Sequence, residues 1–310
     1  MALKAKKPEA IQKRLKMLVY GPAGIGKSTA ALQFPNAYVL DTEKGTDFYH
    51  KTIQKSNSVV LQTNNPDEIK EEVLQLLTTK HPYKTLIIDP ITQVYNATQE
   101  KWSRIFEKHE EKEKNKALMD FGPRYWGRVK SDFKSLQRLI MQLDMNVIIT
   151  SHQKDIYGTG MTKLGVGPDT MKGDEYLFDI VFELRKVGDK RMATTIKQRA
   201  ELGNSFFPDE FEWSYANICK FYGAEIIEKE AAPVPMASKE QVAEIRALME
   251  TVKVEDEVVE KWFQKAEVQD FPEMKAETID ACINYLKKKL GALAPAPTVE
   301  PAKKEAAHVA

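Results

Sequence analysis

Cysteine is scarce in this chain. Cys219 and Cys282 are the only two in 310 residues, far apart and without the close spacing of a zinc site or a redox pair. That excludes a disulfide scaffold and leads us to expect a reducing, cytoplasmic setting. No apolar run approaches the roughly 20 residues that a membrane helix requires, so no membrane role is expected. The basic N-terminus leads into no apolar segment with a small-residue cleavage site, so no signal peptide is expected either. Net charge is nearly absent too: at +1 there is no overall field to attract a polyanion, and any nucleic-acid contact must come from a local basic patch. No internal repeat is visible. What is present, 42% hydrophobic and 29% charged residues, is the composition of a globular protein long enough for one sizeable domain and a smaller one.

The chain divides by pattern. Residues 1–15 are a basic arm with Lys4, Lys6, Lys7, Lys13 and Arg14, continued by Lys16, against Glu9 alone; they could touch phosphate or simply be solvated. Short apolar runs at 17–20, 37–40, 58–62, 85–88 and 146–150 alternate with helical patterns, the spacing of strands buried on both faces of a parallel α/β sheet. Asn65-Pro66-Asp67 marks a helix start. Residues 180–185 and 193–197 then predict successive strands joined by a turn at Gly188-Asp189. The core is expected to span 16–228, followed by a linker at 229–237 containing Pro233 and Pro235. A small helical module over 238–291 opens on the capping box of Ser238 and Gln241. The tail at 292–310 is too poor in large apolar residues to pack and is expected to be disordered.

Gly21-Pro22-Ala23-Gly24-Ile25-Gly26-Lys27-Ser28 fits G-x-x-x-x-G-K-[ST] at every fixed position, between an apolar strand and a helix. Glycines let backbone N–H groups converge on phosphate, and the helix start adds unpaired donors that reach as far as Thr29. Lys27 is assigned to the β and γ phosphates of ATP and the Ser28 hydroxyl to Mg²⁺. Asp89, ending the run Leu86-Ile87-Ile88, is placed beside the loop, where it holds Mg²⁺ through water.

Further elements resemble a family. Tyr38-Val39-Leu40-Asp41-Thr42-Glu43 is similar to the strand end of RecA-like ATPases, in which Asp-x-Glu supplies the glutamate that activates the attacking water. That resemblance makes Glu43 the general base, although a capping carboxylate in a polar loop has the same appearance. Val147-Ile148-Ile149-Thr150-Ser151-His152-Gln153 resembles the strand whose polar end senses the γ phosphate, which implies His152 or Gln153 as sensor. In that family the following loop binds single-stranded DNA. Here residues 154–173 hold five glycines with Lys154, Lys163 and Lys172, a long basic segment. A second cluster, Arg124-Tyr125-Trp126-Gly127-Arg128, has the phosphate-neutralising and base-stacking groups of a single-strand platform, with Arg124 and Trp126 as contacts; core packing of its aromatics fits equally well. Thr195-Ile196-Lys197-Gln198-Arg199 is similar to the Lys-x-Arg element with which such proteins reach a neighbouring subunit's nucleotide, although an exposed strand with alternating cations reads the same way.

Residues 16–228 are thus expected to form a RecA-like P-loop core with a mostly parallel sheet. Its resemblance is to the phage-encoded single-strand annealing and recombination ATPases. The resemblance implies an ATP- and Mg²⁺-dependent hydrolase active in the bacterial cytoplasm. Its implied partners are single-stranded DNA, further copies of itself in a ring or filament, and a single-strand binding or other recombination protein at the helical module. The charged insertion at 100–116 departs from the family pattern and blurs the position of its first DNA loop. A nucleotide switch acting through protein partners in replication, packaging or defence is the alternative. A small-molecule kinase lacks the arginine-rich lid it would need.

Overall fold

The computed structural model describes residues 13–112, 121–199 and 206–293. The expected arm up to residue 12, the end of the charged insertion at 113–116, and the tail beyond 293 lie outside these. The chain separates into two compact units, dividing between Val234 and Pro235.

The first unit is built on an eight-stranded sheet. In chain order its elements are β1 (Lys16–Tyr20), α1 (Lys27–Ala31), β2 (Ala37–Asp41), α2 (His50–Lys55), β3 (Val59–Gln62), α3 (Pro66–Thr78), β4 (Thr85–Asp89), α4 (Ile91–Lys112) and α5 (Phe121–Gln142). There follow β5 (Asn146–Ser151), β6 (Gln153–Tyr157), β7 (Lys163–Pro168), β8 (Ile180–Val187), β9 (Lys190–Gln198), β10 (Glu210–Glu212), α6 (Tyr215–Tyr222) and α7 (Ala224–Ile227). The sheet runs β10-β9-β8-β1-β5-β4-β2-β3, and β6 with β7 forms a separate two-stranded ribbon. The six strands from β8 to β3 are parallel; β9 and β10 add antiparallel to that edge. This is the mostly parallel α/β core that the motifs led us to expect.

Burial explains the apolar runs. Every residue of β1 is buried, Lys16 included, because the strand is covered on both faces. On one face Met17, Val19, Val39, Ile87, Ile148, Phe182 and Leu184 join Ala30, Ala31 and Phe34 around α1, with Phe207, Phe211, Trp213, Ile218 and Tyr222 from the later segment. The alternate residues Leu18, Leu40, Leu86, Ile88, Val147 and Ile149 are equally buried and take the opposite face by strand periodicity. There α3, α4 and α5 pack on one another, with Ile69, Val73, Phe133, Leu136 and Ile140 turned inward. Asn65 caps α3 by accepting from the Asp67 N–H at 3.0 Å, with Pro66 in the first turn.

Two cations counted with the basic arm are structural instead. Arg14 is buried and paired with Asp144 at 2.9 Å, and it also donates to the carbonyls of Lys229 and Glu230. Lys16 donates to the carbonyls of Leu143 and Met145 at 2.8 and 3.1 Å, closing the end of α5. Burial lowers the Lys16 pKa to about 7. The basic segment after β5 is also different from expectation: it is a β-hairpin, β6 against β7, because residues 153–157 and 163–168 satisfy each other's backbone groups.

The second unit holds α8 (Lys239–Val252), α9 (Asp256–Ala266) and α10 (Ala276–Leu293) around Val242, Ile245, Phe271, Ile279, Ile283 and Leu286. Ser238 and Gln241 form the capping box that starts α8. Pro235 and Met236, expected in the linker, belong to this unit: the Pro235 carbonyl accepts from the Ala276 N–H at 2.9 Å, and Met236 bridges to Lys275.

Asn146 ties several of these pieces together. Its fully buried side chain accepts from the Leu15 N–H at 3.3 Å and donates to the carbonyls of Ile227 and Lys84 at 2.8 and 3.2 Å. Asn146→Leu leaves those groups unpaired in a dry site, so urea unfolding is expected to show a loss of about 2 to 4 kcal/mol. A loss under about 0.5 kcal/mol would remove this role.

Candidate functional site

All the motif residues of the first half meet where the parallel strands end, the place an open α/β sheet offers a ligand. β1 ends into the glycine loop, β2 into Thr42-Glu43, β4 on Asp89 and β5 on Ser151-His152. Because β5 lies between β1 and β4, its end is wedged between the phosphate loop and the aspartate.

The loop's shape is set by close approaches. A Cβ on Gly21 would stand 2.7 Å from the Leu184 carbonyl oxygen, and Gly26 has φ of 96°, a left-handed conformation that disfavours any side chain. Lys27 is buried; its Nζ folds back to donate to the carbonyls of Gly21 and Pro22 at 2.8 and 3.0 Å. Burial lowers its pKa, while the charges of Asp89 and Glu43 act the other way. Pro22, Ala23 and Gly24 form the exposed crown of the loop; Ile25 is a buried anchor on Leu184. Thr29 is exposed, its hydroxyl 3.5 Å from that of Tyr49.

Asp89 accepts hydrogen bonds from the hydroxyls of Ser28 and Thr150, which joins the first motif to the second through a strand that belongs to neither. Burial raises its pKa, the two hydroxyls and Lys27 pulling partly back. A half-buried carboxylate beside the hydroxyl of the phosphate loop is a hard-oxygen donor set that suits Mg²⁺. Among the described residues no three His, Cys, Asp or Glu side chains gather to hold a metal. Ser28 and Asp89 would hold such an ion, which at a nucleotide would take its other ligands from phosphate and water.

The second carboxylate of the site is held differently. Asp41 accepts from the backbone N–H groups of Glu43, Gly45 and Thr46 and from the Thr46 hydroxyl at 2.6 Å. Burial pushes the Asp41 pKa up, and those hydrogen bonds outweigh it and hold the carboxyl below its usual range. Asp41 thus folds the loop that presents Glu43. The Glu43 carboxylate accepts from Gln93 Nε2 at 2.7 Å and lies 3.0 Å from His152 Nε2. The His152 backbone N–H donates to the Thr92 hydroxyl at 3.0 Å. Glu43, His152 and Gln93 therefore form one half-exposed polar group at the mouth of the loop. Thr92 and Gln93 come three and four residues after Asp89, in the first turn of α4, and polar residues shortly after a strand-ending acid were the signal that could have found them.

The remaining sequence candidates stand apart. Gln153 is exposed at the start of β6, opposite Pro168. On the hairpin, Lys154 pairs with Asp169 at 3.4 Å and Lys163 with Asp155 at 2.8 Å, while Lys172 is exposed beyond β7. The hairpin's outermost groups are apolar: Tyr157, Met161 and Leu164 are all more than half exposed. Arg124 and Trp126 lie on the first turns of α5; both are exposed, and Tyr125 is the aromatic that packs, its hydroxyl bonding to the Gln99 carbonyl at 3.0 Å. Lys197 donates to the carbonyls of Glu175, Tyr176 and Phe178, and Arg199 pairs with Asp179. In register these lie beside the start of β8, the end of the sheet remote from the phosphate loop, so neither serves the nucleotide of its own chain.

Comparison with known proteins adds three findings. Residues 13–201, more than half of the chain, match the AAA domain family. No curated protein matches the chain. Among solved structures the chain is similar to the crystal structure of the RadB recombinase, at 18% identity and a TM-score of 0.37, over 59% of this chain and 81% of that one.

Burial of Asp89 generates a test. A carboxyl whose folded pKa is raised weakens the fold as pH climbs above the ordinary carboxylate range, because the native state then gives up a proton it holds more tightly than the unfolded chain. Asp89→Asn is therefore expected to raise the melting temperature of the nucleotide-free protein at pH 7, with a smaller gain near pH 4. It is also expected to remove the Mg²⁺ dependence of nucleotide binding. A lower melting temperature at pH 7 would show that the carboxylate is a net structural support.

Proposed function

Since the chain belongs to the AAA domain family, we propose that it binds Mg-ATP at residues 21–29 and hydrolyses it with Glu43 as general base, in response to single-stranded DNA. The observation that carries this reading is the contact set at the strand ends: Ser28 on Asp89 beside Lys27, with Glu43 held by Gln93 and His152 across the mouth of the loop.

The two carboxylates divide the labour through their surroundings. Asp89 is half-buried and tied to hydroxyls, and would hold Mg²⁺ through water. Bound Mg²⁺ supplies charge neutralisation at the β and γ oxygens. Glu43, half-exposed, accepting from Gln93 and 3.0 Å from His152 Nε2, is placed to orient water and take its proton. Lys27 must leave the loop carbonyls to reach phosphate, an exchange of two neutral acceptors for an anion that favours binding. His152 contacts the general base and immediately precedes the hairpin, so a change at the γ phosphate has a short route to β6.

The finer reading, a phage-type annealing or recombination ATPase, rests on the resemblance of Asp41-Thr42-Glu43 and His152-Gln153. In it Lys172, Arg124 and Trp126 contact the strand, with Lys154 and Lys163 joining once released from their carboxylates. Lys197 and Arg199 then act on a neighbouring subunit. The pairing of both hairpin lysines and the apolar hairpin tip favour a second reading, a nucleotide switch whose hairpin grips a protein.

Steady-state ATP turnover with and without a single-stranded oligonucleotide separates them. DNA is expected to stimulate turnover severalfold; Lys27→Ala is expected to abolish nucleotide binding, and Glu43→Gln to bind ATP normally while turnover falls by about 100-fold or more. Turnover indifferent to DNA would transfer the hairpin to the second reading, and full turnover in Glu43→Gln would move the base elsewhere.

Assembly has its own test. Arg199→Ala is expected to bind ATP and lose turnover, then regain part of it when mixed with Glu43→Gln protein, since a mixed interface joins an intact base to an intact arginine. No recovery in confirmed mixed oligomers would confine Arg199 to its bond with Asp179.

A further inference from the structure

The flank of the phosphate loop away from Glu43 is formed by the turn end of the β8–β9 hairpin. β8 runs parallel to β1 with Tyr20 beside Glu183, so the residues after Glu183 continue alongside the loop. Lys186 stands opposite Arg191 in the β8–β9 ladder. By strand periodicity they share the face of Leu184 and Ala193, which are buried in the core with Ile25. Arg191 lies on the loop itself: a Cβ added to Gly26 would meet its Cδ at 3.1 Å, its Nε at 3.4 Å and its Cζ at 3.9 Å. A guanidinium therefore rests against the residue that precedes Lys27.

The electrostatics of this corner are unfavourable as they stand. Like charges directly opposite on an antiparallel pair destabilise it. The neighbouring cations are relieved, Arg185 by Glu210 and Lys190 by Glu212 at 3.4 Å, whereas among the described residues neither Lys186 nor Arg191 has a carboxylate at ion-pair distance. Trp213 fixes the geometry. Its indole N–H donates to the Gly26 carbonyl at 3.0 Å, and its backbone N–H donates to the Arg191 carbonyl at 2.8 Å. In a trans peptide the C=O and the next N–H point opposite ways, so holding the Gly26 carbonyl to Trp213 turns the Lys27 N–H the other way, toward the ligand side of the loop.

We propose that Arg191, supported by Lys186, is a phosphate-binding residue of the same chain, closing on the polyphosphate of a nucleoside di- or triphosphate from the flank opposite Glu43. This rests on the reading of the loop as an ATP site. The planar fork of arginine matches phosphate oxygens in pairs, and a bound anion removes the repulsion that the Lys186–Arg191 pair carries without one.

The test is a set of dissociation constants for ATP, ADP and AMP, with Mg²⁺, in the parent and in Arg191→Ala, Arg191→Lys and Lys186→Ala. A parallel measurement follows a single-stranded oligonucleotide without nucleotide. Arg191→Ala is expected to weaken ATP and ADP by about 10- to 100-fold, the range for a hydrogen-bonded charge, with a much smaller change for AMP. Arg191→Lys is expected to recover part of the loss, and Lys186→Ala to cost a few-fold. Oligonucleotide affinity is expected to hold, and the nucleotide-free melting temperature to hold or rise slightly as the Lys186–Arg191 repulsion is removed. Unchanged ATP and ADP affinity in folded Arg191→Ala, or a loss confined to the oligonucleotide, would overturn the proposal. A parent that binds no ATP would instead sink the reading beneath it.

Discussion

The rest of the site is arranged around one half-buried carboxylate. Asp89 sits where a carboxylate is costly to ionise, and each neighbouring element contributes something that offsets the cost: Ser28 from the phosphate loop, Thr150 from β5, the charge of Lys27. The strand order follows from the same requirement. With β5 between β1 and β4, Thr150 on the inserted strand reaches the aspartate from one side and Ser28 reaches it from the phosphate loop. Asp41, at the parallel position on β2, spends its oxygens on backbone N–H groups instead, so one strand end anchors a ligand position and the next anchors a loop.

The site has two flanks of different character. On the Glu43 side the groups are polar, mutually bonded and connected through His152 to the β6–β7 hairpin. On the β8–β9 side a pair of cations and an indole press on the backbone of the loop itself. The first flank is a network of mutually bonded polar groups, the second a pair of cations set against the loop backbone. Since the second flank comes from the antiparallel part of the sheet, the extra strands beside β1 are part of the site's architecture and not merely an edge extension.

Much of this was legible in the sequence where one physical requirement dominates. The glycine loop could be read because backbone convergence on phosphate admits few residue types, and Asp89 because an acid ends an otherwise apolar run. Capping chemistry located the starts of α3 and α8 for the same reason. What escaped depends on pairing across distance. Nothing local distinguishes Arg191 from Lys190 or Arg185; only the fold decides which of them meets Glu210 or Glu212 and which meets Gly26. The glycine-rich stretch after β5 suggested an irregular loop, yet alternating positions on its two arms pair as a ribbon, a tertiary outcome that glycine content conceals. Arg14 and Lys16 looked solvated by composition and are buried because carbonyls at the end of α5 and near Lys229 await donors.

A single residue, His152, separates the last position of β5 from the first of β6. The hairpin is thus a lever with its fulcrum beside Glu43. Five residues of β6 span about 17 Å, so a swing of about 10° at that fulcrum carries the tip through about 3 Å. Mechanical advantage works in both directions: whatever grips Tyr157, Met161 and Leu164 applies torque to the ring that touches Glu43, and a shift of Glu43 moves the tip.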